Sequence, residues 1–251
     1  MYNEFAPTAD ILFLLVLSIL TLESVHSIRF LYQHFLSGIT TKSLNTFYHA
    51  CSYAKVDYSH FMNITAKVAL RMIPDSLATQ PIFLCVDDTM VAKAGTRFEN
   101  VSKLFDHAAH NGSNYLNGHC FVSIMLCIPV WKNDRVSYLS LPLGYRMWQK
   151  KESKLELAAS MIRQVMPEFQ EKKQVIILCD SWYTKRNLVS IVDEYLNLDL
   201  IGNARIDSVM YAPAHTGRRG RPAKHGKRLS VETDFAFSNE KIGDTISEHT
   251  V

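Results

Sequence analysis

The chain has 251 residues, 47% hydrophobic and 20% charged, which excludes a disordered or collagen-like protein and leaves room for one large domain or two small ones. Its 27 Lys and Arg against 24 Asp and Glu give a formal net charge of +3, so a nucleic-acid surface has to be a local concentration of charge. The five cysteines, Cys51, Cys85, Cys120, Cys127 and Cys179, form no C-x-x-C pair and sit mostly in apolar runs, which reads as buried free thiols in a reducing compartment.

The first 76 residues read as a helical domain. Ile11 to Leu22 is strongly apolar but falls short of the roughly 20 residues of a membrane span, and acidic residues precede it, so a buried core helix capped by Thr8 or Asp10 is expected. A second helix is expected over Ile28 to Leu36, and a third after Thr40-Thr41 with Leu44, Phe47, Tyr48, Cys51 and Ala54 at helical spacing. A fourth follows Asp57, with Phe61, Ile64, Val68 and Met72 on one face and Pro74 ending it. Thr40-Thr41-Lys42-Ser43 offers hydroxyls and a cation at a helix start, compatible with a helix-turn-helix.

From Pro81 the period changes, and residues 77–251 read as an α/β sheet domain. Ile82 to Val86 and Cys120 to Trp131 are apolar runs of strand type, and Asn133-Asp134 marks a turn into a return strand over Val136 to Leu143. Lys154 to Phe169 is an amphipathic helix with Leu155, Ala158, Ala159, Ile162, Val165 and Met166 as its stripe. Val175 to Cys179 is a strand, Leu188 to Leu196 a helix and Leu198 to Ile201 a strand. The helix before Val175 is long enough for a crossover, which would lay that strand parallel to a neighbour in the same sheet. Residues 215–228 hold six Lys or Arg and no acid, a basic loop too rich in Gly and charge for a core.

Asp87, with Asp88 beside it, follows one apolar run, and Asp180 follows another. A carboxylate at the carboxyl end of a buried strand meets the crevice where open α/β sheets hold ligands. Two such carboxylates on neighbouring strands repel unless a cation lies between them, and oxygen-only ligation favours magnesium or manganese over zinc. The competing reading makes each aspartate a turn former or helix N-cap. Trp182 and Tyr183 either stack on an unpaired base or cover the core where strand turns to helix. His107 and His110 have helical spacing tolerable for metal but lack the further ligands of a zinc site, so a solvated or core-edge pair is expected. Arg219-Gly220-Arg221-Pro222 is either an A·T minor-groove clamp or a flexible basic loop on phosphates, and both point to DNA.

Together, V-D-D-T (Val86 to Thr89) and C-D-S-W-Y (Cys179 to Tyr183) resemble the first two catalytic motifs of DDE-type insertion-sequence transposases. The resemblance extends from Pro81 to about Arg228 and includes Gly118-His119, Leu141 to Leu143, I-G-N-A-R (Ile201 to Arg205) and the basic G-R-R-G-R-P (Gly217 to Pro222). It implies a ribonuclease H-like mixed sheet flanked by helices, behind an all-helical N-terminal domain that recognises transposon ends. It places metal-binding, catalytic aspartates at Asp87 and Asp180, with Thr89 as the trailing hydroxyl and Asp88 on the opposite face of the strand. The implied cofactor is Mg2+ or Mn2+, and the implied reaction is an in-line phosphodiester displacement between two ions about 4 Å apart. Double-stranded DNA, as transposon ends and target, is the implied partner, with a homodimer on the DNA in the bacterial cytoplasm. Arg218, Arg219, Arg221, Lys224, Lys227 and Arg228 are the expected DNA contacts.

The family's third carboxylate is a glutamate on a later helix. Glu232, Glu240 and Glu248 lie in polar sequence without the family's pattern, and none is assigned to that role. The expectation is therefore a C-terminally truncated frame, inactive as written, with a non-catalytic DNA-binding remnant as the alternative.

Overall fold

The computed structural model describes residues 6–24, 27–54, 56–95, 97–105, 114–169, 173–203, 208–212, 214, 225–230, 233–234, 237–242 and 245–250. The chain forms two compact units, Met1–Phe61 and Met62–Val251.

The first unit is helical. α1 (Ala6–Thr21) begins upstream of Thr8 and Asp10, so neither caps it. Ser27 caps α2 (Ile28–Leu31), its Oγ accepting from the Phe30 N–H at 3.1 Å. A π-turn over Tyr32–Leu36 joins α2 to α3 (Ser37–Ile39), and α4 (Leu44–Tyr53) follows. Ile11, Leu15, Leu31, Leu36 and Phe47 make the core. Among the described residues no helix is long and apolar enough to cross a membrane. Three expectations fail in α4, where Phe47 alone is buried and Tyr48 is exposed. Cys51 is an exposed thiol, and Ala54 lies just past the helix end.

In α5 (Tyr58–Arg71) the expected stripe is the wrong one: Phe61, Ile64, Val68 and Met72 are exposed, while Met62, Ala66 and Ala69 join the sheet core. The small side chains of Ala66 and Ala69, on the face of Met62, let the helix backbone approach its neighbour closely, and that packing outweighs the larger residues on the adjacent face.

The sheet is built on β1 (Ile82–Ala92), antiparallel to β3 (Tyr115–Lys132) on one side and parallel to β5 (Val175–Cys179) on the other. β6 (Leu198–Gly202) continues the parallel half. The far edge of β3 pairs with β2 (Ser102–Phe105) near its start and β4 (Arg135–Met147) along the rest. The order β4-β3-β1-β5-β6, antiparallel on one flank of β1 and parallel on the other, is the ribonuclease H-like mixed sheet. Asn133 and Asp134 join β3 to β4 with φ of 52° and 59°, the left-handed pair that a tight hairpin turn requires. Pro142 sits in β4, which pairs on one side only, beside a bulge opposite Ile124 and Met125.

One sheet face, with Ile82, Leu84, Val86, Val122, Ile124, Val175 and Ile177, packs against α6 (Lys154–Val165) through Leu155, Ala158, Ala159, Ile162 and Val165. Ser153 closes a capping box with Glu156, so the start of this helix is fixed both by packing and by its cap. Pro167 converts the helix end to a 3-10 turn over Met166–Glu168. After β5 a short α7 (Arg186–Val189) passes into a 3-10 turn over Ser190–Glu194, where the sequence suggested one continuous helix. Two short strands, β7 (Met210–Tyr211) and β8 (Arg228–Leu229), and a hairpin of β9 (Phe237–Ile242) and β10 (Thr245–Thr250) complete the described chain.

Candidate active site

The two flanks of β1 end at different heights. Parallel pairing with β5 stops at Val86 opposite Cys179, while antiparallel pairing with β3 continues through Asp87 opposite Ser123 and Asp88 opposite Val122 to Ala92. The aspartates therefore lie inside a strand that runs six residues past the expected stop at Val86, from 87 to 92. On the β5 side that stretch is unpaired within the sheet, and a crevice opens there, as at the carboxyl ends of parallel strands generally.

Strand alternation then divides the pair. Asp88 shares the face of Leu84 and Val86. Its Oδ2 accepts from Lys154 Nζ at 2.6 Å and Cys120 Sγ at 3.2 Å, and its Oδ1 accepts from the Tyr183 hydroxyl at 3.3 Å. Asp87 is exposed on the other face, where its Oδ1 accepts from the Asp88 N–H at 2.8 Å and its carbonyl from the Ser123 hydroxyl at 3.1 Å. Thr89, of the same parity as Asp87, is exposed as well.

Asp180 leaves the end of β5, and its Oδ1 accepts from the N–H groups of Trp182 at 3.1 Å and Tyr183 at 3.2 Å. This is the turn-forming role open to it from the sequence. Asp180 also lines a cleft of about 600 Å³ with Asp88, Ser181, Trp182, Trp148, Lys154, Lys150, Lys103, Phe105, Leu104 and Met90. The structure thus brings Asp88 and Asp180 to one cleft, and Asp87 and Thr89 are not among its lining residues.

Burial sets the protonation of the groups around Asp88. Desolvation, with the nearby Asp88 carboxylate, pushes the Tyr183 phenol far above its ordinary value, and Tyr183 is fully buried. Tyr183 therefore belongs to the core and stays a hydrogen-bond donor. Desolvation and the bond to Asp88 raise the Cys120 thiol to about 11, so it too donates. Burial acts to lower the Lys154 value, but the hydrogen bond and charge of Asp88 overcome it and the net shift is upward. Lys154 is an ammonium group at neutral pH.

Lys154 also stands 5.6 Å from the Trp148 ring and 5.2 Å from the Trp182 ring, and Lys185 stands 4.5 Å from Trp182. Trp182 is half-buried on the cleft wall with two ammonium groups over its ring. Sequence reasoning passed over Lys154, Lys150, Lys103 and Cys120. Lys154 carried a signal, because a cation at the first position of a helix opposes the helix dipole and calls for a partner elsewhere.

Arg218, Arg219, Arg221 and Lys224 lie outside the described residues, as do His107, His110 and Glu232. Of the basic stretch, Lys227 pairs with Asp234 at 2.6 Å and Arg228 lies in β8, opposite Tyr211 of β7. The Ala212 N–H to Lys227 carbonyl bond at 2.9 Å and the Gly226 N–H to Ala212 carbonyl bond at 2.9 Å join Ala212 to the last residues of that stretch. Glu240 and Glu248 fall in β9 and β10, for which the backbone is described. Among the described residues no group of three or more His, Cys, Asp or Glu side chains is arranged to hold a metal. The cleft does offer two carboxylates, and magnesium is commonly held by one or two carboxylates with water and substrate phosphate supplying the rest. The donor chemistry fits such an ion.

No curated protein matches the chain at a significant level. Among solved structures, the Drosophila P element transposase strand transfer complex aligns at 10% identity and TM-score 0.35, covering 93% of this chain and 48% of that one. The Mos1 transposase paired-end complex with left transposon end aligns at 12% identity and TM-score 0.27, covering 78% and 58%. The chain thus spans about half the length of these transposases. A family model described as DDE superfamily endonuclease matches residues 8–242, and with nearly the whole chain inside that match the protein belongs to the DDE superfamily endonucleases.

Proposed function

We propose that this chain is a DNA transposase of the DDE class, cutting and rejoining phosphodiester bonds at the cleft between β1 and β5. The observation that carries the reading is the convergence of Asp88 and Asp180 on one cleft in a chain of the DDE endonuclease family. In the transposase reading Asp88 and Asp180 are the residues that hold divalent metal, Mg2+ or Mn2+, and the Asp87 assignment gives way to its neighbour because Asp88 has the parity that faces the cleft. Bound there, the metal would supply Lewis-acid activation of the attacking oxygen and stabilisation of the leaving one.

The chain's own residues do the rest. Lys103, Lys150 and Lys154 put positive charge on the cleft walls, where a phosphodiester backbone would lie. Phe105, Leu104, Trp148 and Trp182 limit water in the cleft, which strengthens each of those charges. The basic stretch, with Arg218, Arg219, Arg221, Lys224, Lys227 and Arg228, is assigned to duplex DNA, and a homodimer on the DNA would bring two such stretches to paired ends.

The test is nicking of a DNA duplex by the purified chain with Mg2+ or Mn2+. Asp88→Asn and Asp180→Asn should each abolish it, and Asp87→Asn should retain it. Loss with Asp87→Asn and retention with Asp88→Asn would reverse the assignment. DNA binding without any metal-dependent nicking would favour the non-catalytic DNA-binding reading.

A further inference from the structure

Asp88 already accepts from three protein donors, Lys154 and Cys120 on Oδ2 and Tyr183 on Oδ1. Its Oδ2 holds the Lys154 ammonium at 2.6 Å and its Oδ1 the Tyr183 hydroxyl at 3.3 Å, in a pair whose side chains are only 17% and 18% exposed. A divalent ion cannot share Oδ2 with an ammonium group, because two cations within about 4 Å repel strongly in a partly desolvated cleft. Lys154 is also a costly residue at the first position of α6, against the helix dipole. The Trp148 and Trp182 rings, 5.6 and 5.2 Å from Nζ, give that ammonium a second resting place needing no carboxylate.

We propose that Lys154 is a built-in counter-ion of the cation site. Its ammonium neutralises Asp88 until a divalent ion arrives, is exchanged for that ion, and then rests over the two tryptophan rings on the cleft wall. This rests on the reading of Asp88 as a metal ligand. The exchange keeps the partly buried carboxylate compensated at every stage, which matters because an unpaired charge in a desolvated place is destabilising. It also sets a threshold on metal affinity that the carboxylates alone would not impose. Lys154 acts here through Asp88, as a positioning residue.

The experiment titrates Mn2+ alone, without DNA, into the full chain and reads free ion by electron paramagnetic resonance. Lys154→Met should bind Mn2+ at least about tenfold more tightly than the unaltered chain, because the competing charge is gone. Lys154→Arg, which keeps the charge, should show no such gain, and Asp88→Asn should lose the site. A second readout uses the unaltered chain: Mn2+ should speed acylation of Lys154 relative to exposed Lys132, read by peptide mass spectrometry. If Lys154→Met misfolds on thermal melting, the acylation result decides. Binding by Lys154→Met no tighter than by the unaltered chain, or acylation of Lys154 unmoved by Mn2+, while Asp88→Asn still loses the site, would overturn the exchange and leave the metal reading standing. Equal Mn2+ binding by the unaltered chain and Asp88→Asn would remove the metal reading itself.

Discussion

Asp180 combines two roles that one pair of substitutions separates. Its Oδ1 accepts the N–H groups of Trp182 and Tyr183 where β5 turns away from the sheet, and its carboxylate lines the cleft. Asp180→Ala removes the side-chain acceptor of the Trp182 N–H, while the Tyr183 N–H keeps its 3.1 Å bond to the Asp180 backbone carbonyl. Loss of a capping acceptor of this kind costs about 1 kcal/mol, within a range of roughly 0.5 to 2. For a unit the size of Met62–Val251 this lowers Tm by about 2 to 4 °C. Asp180→Asn keeps a side-chain oxygen at the same reach, so its cost should be a few tenths of a kcal/mol. Under the proposed metal-binding role the order of subtlety reverses, since the neutral amide is a poor ligand for Mg2+ or Mn2+ and both variants should lose nicking. Thermal melting and Mn2+-dependent nicking on the same preparations make the comparison. A Tm for Asp180→Asn as low as that of the alanine variant would show that charge, not acceptor geometry, holds the turn. Full nicking by Asp180→Asn would remove Asp180 from the site.

Ser153→Ala breaks the capping box of α6 and should lower stability by about 1 kcal/mol in urea denaturation, while Glu156→Gln should cost less because it retains the bond to the Ser153 N–H. Gly118→Ala should destabilise by about 1 to 3 kcal/mol, because a Cβ there would lie 2.3 Å from the Val91 carbonyl oxygen in the facing backbone, and an unchanged denaturation midpoint would contradict that contact. Thiol alkylation at pH 8 should label exposed Cys51 first, since burial and Cys127 push the Cys85 thiol to about 12 and burial lifts Cys120 to about 11.

The central strands were legible because they are continuous apolar runs, and the hairpin because Asn133-Asp134 suits left-handed backbone. β2 was not, because Ser102-Lys103-Leu104-Phe105 buries a single leucine and exists through pairing with β3. The α5 face was misjudged because large apolar side chains look more buried than Ala66 and Ala69, whose small size is what admits close packing. For the site, the motif pattern singled out Asp87, yet Ile82, Leu84 and Val86 already fix which parity faces α6, and Asp88 continues it. Lys154 could have been read from its place at a helix start, but its partner is 66 residues away in sequence and only the crossover brings them together.

The parity reading makes a stability prediction independent of any metal. Asp88→Asn leaves the Lys154 ammonium in a partly desolvated place without its carboxylate, whereas Asp87→Asn alters an exposed side chain whose oxygen can still accept the Asp88 N–H. Removing one partner of a fully buried ion pair costs roughly 3 to 5 kcal/mol, and the residual exposure of this pair reduces that to about 1 to 3 kcal/mol. The Asp87 change should stay within about 0.5 kcal/mol, as for most exposed substitutions. Adding Lys154→Met to Asp88→Asn should recover part of the loss, because the stranded charge is then gone, and a double-mutant cycle in urea reads that coupling directly. The upward shift of Lys154 fixes the pH dependence. A folded-state value above the unfolded one means the pair's stabilisation is fully present below about pH 10.4 and is lost as the pH rises through the folded value. Asp88→Asn should therefore be the less stable protein at pH 7 and converge on the unaltered chain in strong alkali. A cycle with no coupling, or an Asp87 variant less stable than the Asp88 one, would mean that the opposite face of β1 carries the interaction.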